Sequence, residues 1–410
     1  MTHTPITFPE LHPPLTPQAA VTEANRCLFC FDAPCAGACP THIDVPRFIK
    51  KIATGNPLGA AETILDANVL GLSCSRVCPV DVLCEGACVY HNINGQPITI
   101  GLLQRHAMDG FYASSGQLPF KTIPNAKKVA CIGAGPASLA CAAELRKHGL
   151  AVTIFDKRPQ PGGLNTYGVA QYKFTPTDAA REIELIRATG VTFRSGISVG
   201  ENLSIEDLER DFDAIFIGIG LGATQPLGIP GENLPNVLNA LEFIAAYKTA
   251  QPLHVGHCVA VIGGGNTAID AAVAARYLGA TQVSILYRRA ESNMSAFAFE
   301  YEHARASGIG FVWNARPVRF TTHGVECDSG LTVPCDTIIV AIGQSRLLDT
   351  LQKIRTIELR NGQVVVNPQT GQTADPKYFA AGDCVNGGRE VVDAAAEGKR
   401  AAKGILQWLS

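Results

Sequence analysis

Two stretches of this chain repeat one pattern: a short apolar strand, a glycine-rich turn, a helix and a second strand. The first reads KKVACIGAGPASLACAAELRKHGLAVTIFDKR and the second reads HCVAVIGGGNTAIDAAVAARYLGATQVSILYRR. In such a unit the turn brings the helix N-terminus, with its free N–H groups and positive dipole end, to a pyrophosphate. The repeat predicts an α/β fold with two Rossmann-like domains that bind two dinucleotides. Turns that bind nothing are a weaker interpretation, because both carry the whole pattern.

The first unit ends in an acidic residue. Gly133 permits the tight turn, and Gly135 lets a pyrophosphate approach the backbone. Ser138 stands where a third glycine is usual, so we expect the helix and strand to pack less closely there. Asp156, at the end of the second strand, is predicted to accept hydrogen bonds from ribose hydroxyls.

The second unit ends in two arginines instead. Its turn consists of Gly263, Gly264 and Gly265, and its second strand runs into Arg288 and Arg289. Arginine at this point commonly binds the 2′-phosphate of NADP. We therefore expect this unit to bind a pyridine nucleotide.

A third element lies near the C-terminus. A short strand is followed by Gly382–Asp383 and by a helix that is predicted to begin near Val391. This resembles the second flavin motif of flavoproteins with two dinucleotide domains, in which the aspartate holds the ribityl chain and the helix dipole stabilises negative charge on reduced flavin. Two strand–glycine turns, FIGIG (216–220) and VAIGQ (340–344), occur where such proteins cross between domains.

These elements predict three domains. Residues 1–125 look helical and rich in loops, and a linker from Leu118 to Ala126, with Pro119 and Pro124, follows. The FAD domain is predicted to be discontinuous, 126–235 and 340–410, with the NAD(P)H domain inserted at 236–339. Two helices are predicted from apolar spacing in the first domain, at 45–55 and 57–71, each ending at glycine.

The helical domain also contains eight of the 14 cysteines. One run has the spacing C-x2-C-x4-C-x3-C-P and a second has C-P-x4-C-x3-C, and their members are Cys27, Cys30, Cys35, Cys39, Cys78, Cys84 and Cys88. Thiolates in such runs hold 4Fe–4S clusters, and the cysteine before proline can serve the other cluster. Zinc is less favoured, because only Cys27 and Cys30 form a C-x2-C pair. Disulfides are less favoured in a long chain without a secretion signal.

Composition narrows the function classes. Hydrophobic residues make up 46% and charged residues 17% of 410 residues, and the net charge of −2 gives no support for binding nucleic acid or an anionic membrane. The N-terminal sequence MTHTPITFPELHPPLTP has no basic region followed by an apolar one, and no apolar run is long enough to span a membrane. We expect a cytoplasmic protein.

With these motifs in hand, the chain resembles the family of glutamate synthase small subunits and the N-terminal half of dihydropyrimidine dehydrogenase. Three features favour the dehydrogenase branch, and most of all its bacterial, NAD-dependent, separate electron-input subunit. Five residues separate Cys78 from Cys84, Gln104 stands where the synthase branch typically has glutamate, and GAGPAS and FIGIGL match the dehydrogenase almost completely.

The resemblance implies two interleaved clusters. Cys27, Cys30, Cys35 and Cys88 would hold one cluster. The other would be held by Cys39, Cys78, Cys84 and Gln104. A neutral amide in place of a thiolate should raise the potential of that cluster. Cys74 remains an alternative to Gln104, because the spacing from Cys74 to Cys78 is also suitable.

The same reasoning gives the predicted contacts of the two dinucleotides. The FAD set is Gly133, Gly135, Pro136, Ala137, Ser138, Asp156, Lys157, Gly163, Leu164, Lys173, Val199, Gly382, Asp383 and Val391. The NAD(P)H set is Gly263, Gly264, Gly265, Asn266, Thr267, Arg288, Arg289, Ala341, Ile342 and Gly343. No catalytic side chain is expected, since flavin and nicotinamide carry out hydride transfer themselves.

The implied function is electron input. Hydride would pass from NADH to FAD, and electrons would then pass through both clusters to an FMN-containing partner subunit that reduces uracil or thymine. The chain has no room for that partner's barrel domain. NADH is favoured over NADPH, because Ser295 holds the position of a third arginine and Glu291 adds negative charge.

Three other functions share part of this pattern. A glutamate synthase small-subunit-like NADPH oxidoreductase would feed a different acceptor by the same path. A thioredoxin reductase needs a redox C-x-x-C beside the flavin, and none follows Cys88. A non-enzymatic redox sensor would not need the intact dinucleotide motifs.

Overall fold

The structure is a computed structural model that describes residues 8–114, 116–118 and 123–410. Pro119 of the predicted linker and the first seven residues of the N-terminal sequence lie outside the described residues. Within the described ranges, no helix combines the length and the apolar character needed to cross a membrane.

Helices and strands alternate after an all-helical start. The helices are α1 Pro17–Asn25, α2 Pro34–Ala38, α3 Val45–Ala53, α4 Pro57–Ala67, α5 Gly71–Val77, α6 Ile100–Ala113, α7 Pro136–Lys147, α8 Leu164–Tyr167, α9 Pro176–Arg187, α10 Ile205–Asp211, α11 Ala240–Lys248, α12 Asn266–Tyr277, α13 Ala298–Ala306, α14 Leu348–Leu351, α15 Asp383–Asn386 and α16 Val391–Leu409. The strands are β1 Lys128–Ile132, β2 Ala151–Asp156, β3 Thr192–Ser195, β4 Ala214–Ile217, β5 Val237–Asn239, β6 Cys258–Ile262, β7 Gln282–Tyr287, β8 Gly310–Trp313, β9 Pro317–Thr321, β10 Gly324–Cys327, β11 Thr332–Pro334, β12 Thr337–Val340, β13 Leu359–Arg360, β14 Gln363–Val364 and β15 Tyr378–Ala380.

The chain divides into two compact units. The larger unit comprises residues 12–165, 177–221 and 346–410. The smaller unit comprises, among the described residues, 8–11, 166–176 and 222–345. The main part of the smaller unit begins just after FIGIG and ends just after VAIGQ, the two turns where the sequence predicts a crossing between domains.

A parallel sheet in the order β15-β4-β1-β2-β3 forms the centre of the larger unit. Its inner strands are apolar on both faces, as expected for parallel strands covered on each side. Val129 of β1 pairs with Val152 on one side and with Ala214 on the other. On β15, Phe379 pairs with Phe216, so the C-terminal part of the chain completes a sheet that the earlier part begins.

The smaller unit has its own parallel sheet, in the order β5-β12-β6-β7-β8, and a three-stranded antiparallel sheet, β11-β10-β9. Helices α11 and α12 pack on this parallel sheet, and α12 does so through small residues, since Ala271, Ala272, Ala274 and Ala275 are completely buried. The predicted α/β fold class, with a helical iron–sulfur region before two Rossmann-like folds, is confirmed.

Helices α1 to α6 belong to the larger unit. The predicted helix at 45–55 is confirmed as α3, and Gly55 follows it with a left-handed φ of +76°, a common helix stop. The predicted stop at Gly71 is wrong. Helix α4 ends at Ala67, where the side-chain oxygen of Asn68 accepts a hydrogen bond from the N–H of Leu70 (3.0 Å), and Gly71 instead begins α5.

A buried carboxyl group connects α5 to α9. Glu182 of α9 accepts a hydrogen bond from the N–H of Ser73 in α5 at 3.0 Å, and only 2% of Glu182 is exposed. Burial raises the pKa of Glu182 to about 7, although the Ser73 N–H and the Arg76 guanidinium act in the opposite direction. Folding therefore favours the protonated form of this side chain.

We predict that Glu182→Gln makes the protein less sensitive to rising pH. Because the folded pKa is raised, the native state holds this proton more tightly than the unfolded chain does, so stability is lost as pH rises through about 7. The free energy of unfolding that the wild type loses in this way, and that the variant keeps, is on the order of 3 kcal/mol. Melting temperatures of variant and wild type, measured from pH 5 to 8, should diverge in favour of the variant. Glu184→Gln, at an exposed position on the same helix, is the control; parallel curves for Glu182→Gln and wild type would contradict the prediction.

Candidate cofactor-binding sites

The first glycine turn joins β1 to α7 and leaves the start of that helix open. Gly133 has a φ of +91°, and a Cβ there would lie 2.5 Å from the carbonyl oxygen of Gly218. Gly135 precedes the helix, Pro136 is its first residue, and no side chain caps the N-terminus. The free N–H groups and the dipole of α7 are therefore available to a pyrophosphate.

The helix lies close to the sheet despite Ser138. This serine is fully buried, and its Oγ has no hydrogen-bond partner in the described part of the chain. A Cβ added to Gly218 would lie 2.3 Å from that Oγ. Gly218, which follows β4, thus provides the space that a third glycine in the turn would otherwise provide. The sequence motif alone does not reveal this compensation.

Asp156 ends β2 beside the turn. Its Oδ2 accepts a hydrogen bond from the N–H of Ala134 at 2.6 Å, and its Oδ1 accepts one from the N–H of Arg158 at 2.7 Å. Lys157 between them is exposed. The carboxylate is therefore held in one orientation by the turn's own backbone, at the position where a ribose is expected.

A second loop lies against the same turn. The N–H of Gly162 donates to the carbonyl oxygen of Ala134 at 2.8 Å. A Cβ on Gly163 would lie 2.7 Å from the Cα of Gly135, so the two backbones are in close contact. Leu164 then begins α8. The predicted flavin contacts Gly163 and Leu164 are thus brought to the turn.

The C-terminal motif meets the turn from the other side. Gly382 has a φ of +76°, and a Cβ there would lie 3.0 Å from the Cβ of Ala137. Asp383 Oδ1 accepts a hydrogen bond from the N–H of Arg389 at 3.2 Å, and burial raises the pKa of Asp383. Helix α16 begins at Val391, as predicted. Two motifs distant in sequence therefore converge at the start of α7, and the residues present fit the dinucleotide.

Two predicted flavin contacts lie elsewhere. Val199 is buried in the apolar core of the larger unit, together with Phe155. Lys173 belongs to the smaller unit, where its ammonium lies 2.6 Å from Asp270 and also pairs with Glu300. Burial lowers the pKa of Lys173, but these two carboxylates outweigh burial and raise it. Its role in flavin binding stays a prediction without a contact in its support.

The second glycine turn opens onto a cavity of about 630 Å³ in the smaller unit. Gly264 is required there, because a Cβ would lie 2.5 Å from the ring of Tyr287. The predicted nucleotide contacts that line the cavity are Gly263, Gly264, Gly265, Thr267, Arg288, Arg289, Ala341, Ile342 and Gly343. Its volume and its glycine-lined wall fit a dinucleotide.

One predicted contact does not line this cavity, and several residues that do line it were not predicted, among them a charged one. Asn266 begins α12, and its Oδ1 accepts a hydrogen bond from the N–H of Phe297 at 3.0 Å. Arg316 lines the cavity although it belongs to no motif. The only sequence signal for it is its position just after β8, the strand next to β7.

Four of the predicted cluster ligands surround one small cavity. Cys27, Cys30, Cys35 and Cys88 line it, and the rest of its wall is almost entirely apolar: Leu28, Pro34, Val45, Pro46, Ile49, Val89, Tyr90, Ile98 and Ile100. Burial raises the pKa of Cys35 to about 11, so this thiol would become a thiolate only beside a positive centre. Iron would provide that charge, and the four cysteines therefore fit the ligand set of an iron–sulfur cluster.

The remaining thiols form an adjoining group. The electrostatic neighbours of Cys78 are Cys74, Cys84 and Cys39, and those of Cys84 include Cys39 and Cys35. The hydrogen bond with Cys74 is the first cause, and burial the second, of a pKa of Cys78 well above its ordinary range. Among the described residues, no three histidine, cysteine or acidic side chains converge on a point that could hold a single metal ion.

Gln104 and Cys74 both lie buried near this second group. Gln104 Nε2 donates to the carbonyl oxygen of Gly71 at 2.9 Å, which leaves Oε1 as the atom that could bind iron. Cys74 Sγ accepts a hydrogen bond from Asn68 Nδ2 at 3.2 Å. The Gln104 oxygen is therefore not used by this hydrogen bond, and the ligand role of Gln104 stays a prediction.

Two families match this chain over separate ranges. Residues 5–115 match the family described as dihydropyrimidine dehydrogenase domain II, 4Fe-4S cluster. Residues 127–398 match the pyridine nucleotide-disulphide oxidoreductase family. The chain belongs to that oxidoreductase family. It is an NAD(P)H-dependent oxidoreductase with an iron–sulfur domain, and its cofactors are iron–sulfur, flavin and pyridine nucleotide.

Similar proteins come from both branches named by the sequence resemblance, which is confirmed. The NAD-dependent dihydropyrimidine dehydrogenase subunit PreT of Escherichia coli O157:H7 is 36% identical over 98% of this chain and 97% of its own length. The NADPH glutamate synthase small chain of Escherichia coli (strain K12) is 33% identical over 98% of this chain and 94% of its own length. The fold is shared with T. acidophilum thioredoxin reductase, at a TM-score of 0.58 and 19% identity, over 68% of this chain and 98% of that one.

We predict that Gly133→Ala abolishes flavin binding while leaving the clusters in place. The added Cβ would meet the Gly218 carbonyl oxygen at 2.5 Å, and the left-handed φ disfavours a side chain. Flavin released by acid from purified protein, measured beside bound iron, tests this. Gly196→Ala, also at a positive φ but with open space around it, controls for backbone strain alone. Full flavin content in Gly133→Ala would contradict the prediction.

We predict that Gln104→Ala loses iron and Cys74→Ala does not. If Gln104 is the fourth ligand, its removal leaves one iron of the second cluster without a protein ligand, whereas Cys74 is dispensable. Iron and acid-labile sulfide, measured on protein purified without oxygen, give the answer. Cys88→Ser should lower the iron and the acid-labile sulfide to the amounts expected for one cluster. It therefore shows how large a change the loss of one cluster produces in this assay. Loss of iron in Cys74→Ala with full iron in Gln104→Ala would assign the ligand to Cys74.

Proposed function

We propose that this chain is the electron-input subunit of a dihydropyrimidine dehydrogenase. It oxidises a reduced pyridine nucleotide by means of FAD, and electrons leave through two 4Fe–4S clusters. The acceptor is an FMN-containing partner subunit, which reduces uracil or thymine to the 5,6-dihydro form.

The observation that carries this proposal is the composition of the larger unit. Both thiol groups, Gln104 and the first glycine turn belong to it. The wall around Cys27 and Cys88 is mostly apolar, and apolar surroundings influence the potential of a cluster. A chain that places a flavin site and two thiol groups in one folded unit is suited to passing electrons inward from the flavin.

The residues of the chain have defined tasks in this reaction. The N-terminus of α7 binds the pyrophosphate, and Asp156 holds a ribose. The start of α16 offers a positive dipole end to the flavin ring. Flavin, when bound, supplies the conversion between two-electron and one-electron transfer. No side chain is needed as an acid or base for the hydride step, because orientation and exclusion of water suffice.

The dehydrogenase branch is favoured over the synthase branch by length as well as by ligands. The alignment with PreT extends over 409 residues and that with the glutamate synthase small chain over 448, although each covers 98% of this chain. The second alignment therefore needs more gaps. The spacing from Cys78 to Cys84 and the glutamine at position 104 point the same way.

The alternative is a glutamate synthase small-subunit-like NADPH oxidoreductase that feeds another acceptor. Relatives of that branch are similar to this chain at 33% to 34% identity, which keeps it as the second candidate. The partner decides between the two. A partner with an FMN barrel that reduces pyrimidines supports the first proposal, and a glutamate-forming partner supports the second.

We expect the full-length protein, reconstituted with FAD, iron and sulfide, to reduce one-electron dyes with NAD(P)H and to leave uracil unchanged. Uracil should be consumed only after the FMN-containing subunit is added, because the proposal assigns reduction of the pyrimidine to that subunit. The Cys88→Ser variant should still bleach its flavin with NADH but reduce the dye more slowly, since the route through the first cluster is lost. Turnover of uracil by this chain alone would refute the proposal, and so would a dye rate unaffected by loss of the cluster.

The nucleotide predicted from the sequence is NADH. The ratio of kcat/KM for NADH to that for NADPH measures this preference directly. A ratio well below one would replace NADH with NADPH without changing the rest of the proposal.

A further inference from the structure

The cavity at the second glycine turn has a wall whose charge is all positive. Among its described lining residues, Arg288, Arg289 and Arg316 are the only charged ones. Sites for NAD usually hold the adenosine ribose with a carboxylate. The cavity lining contains no carboxylate among the described residues, so its chemistry suits a ligand with more negative charge than a pyrophosphate alone.

Backbone hydrogen bonds place Arg316 beside the other two arginines. The N–H of Asn314 donates to the carbonyl oxygen of Arg289 at 3.1 Å, and the N–H of Ala315 donates to that of Tyr287 at 2.9 Å. The loop after β8 is thus tied to the end of β7. Arg316 follows directly, so its position beside Arg289 is set by the backbone of two paired strands.

The backbone of Arg316 is fixed on its other side as well. Its carbonyl oxygen accepts a hydrogen bond from the N–H of Asp328 at 3.0 Å, and Pro317 restricts the next peptide. The guanidinium itself is exposed and forms no ion pair within the described ranges. A fixed backbone with an uncommitted guanidinium is suited to binding an anion.

The two sequence features that favour NADH place no negative charge in the lining of this cavity. Ser295 holds the position of a third arginine, but its hydroxyl donates to the carbonyl oxygen of Gly264 at 3.2 Å, and the third guanidinium comes from Arg316. The Glu291 carboxylate accepts a hydrogen bond from Tyr301 and does not line the cavity.

We propose that Arg316 is a specificity-determining residue that binds the 2′-phosphate of the nucleotide, so that this chain binds NADPH. The inference rests on the proposed function only in assigning the cavity to a pyridine nucleotide. A guanidinium binds phosphate through two parallel N–H donors, and three of them around one cavity match the extra charge of the 2′-phosphate.

The test compares two probes that differ by one phosphate and cannot transfer hydride. Adenosine 2′,5′-bisphosphate and 5′-AMP are titrated into the full-length, cofactor-loaded protein by calorimetry. Wild type should bind the bisphosphate at least about tenfold more tightly than 5′-AMP. Arg316→Ala should weaken bisphosphate binding by about tenfold or more and change 5′-AMP binding less than about twofold. Arg316→Lys, which keeps the charge but not the paired donors, should lie between them.

Arg319→Ala is the matched control, since Arg319 is exposed on β9 and does not line the cavity. It should leave both affinities unchanged. Equal weakening of both probes by Arg316→Ala would overturn the inference, because it would place Arg316 at the pyrophosphate. Equal binding of both probes by wild type would overturn it too. Failure of the proposed function is distinguishable, since these affinities require neither a partner nor electron transfer.

Discussion

The pairing of β15 with β4 is the constraint on which the flavin site depends. These strands come from parts of the chain separated by the main part of the smaller unit, and Phe379 lies opposite Phe216 in their register. This pairing delivers Gly382 to Ala137, at the start of α7. Helix α16 then packs on α7 so closely that a Cβ on Gly398 would lie 2.1 Å from the Ala137 carbonyl oxygen. The pairing that completes the sheet of the larger unit therefore also assembles the predicted flavin site.

The thiol groups are assembled by a different principle. They do not lie on a sheet but on short helices and loops, where proline and cysteine prevent long regular elements. Cys88 joins the group of Cys27, Cys30 and Cys35 from the second run, so neither run encloses a cavity by itself. The closeness of Cys84 to both Cys35 and Cys39 places the two groups side by side. Adjacent groups of thiols suit electron movement from one centre to the next.

The sequence predicts those parts of the molecule that a backbone requirement defines. Both glycine turns were predictable because Gly133 and Gly264 have no room for a side chain. The end of α4 was not predictable, because the side chain of Asn68 ends that helix before Gly71 is reached. A helix boundary of this kind depends on a local hydrogen bond that competes with the glycine signal.

Contacts made by residues outside motifs were not predictable either. Arg316 reaches the cavity because β8 lies beside β7, and no pattern in its own neighbourhood records that pairing. Gly218 provides space for Ser138 from another strand for the same reason. Lys173 shows the opposite case, in which a residue assigned by resemblance is paired with Asp270 and Glu300. Motifs identify turns, whereas tertiary neighbours determine which charges reach a site.

The main part of the smaller unit, residues 222–345, begins next to the point where it ends. The N–H of Gly222 donates to the carbonyl oxygen of Ser345, and the N–H of Ser345 donates to that of Ala223, both at 2.8 Å. A segment whose two ends lie close together can be replaced by another segment without disrupting the fold of the domain that contains it. Evolution could therefore replace this segment with one that prefers a different coenzyme. The same flavin and iron–sulfur parts could then accept electrons from either NADH or NADPH.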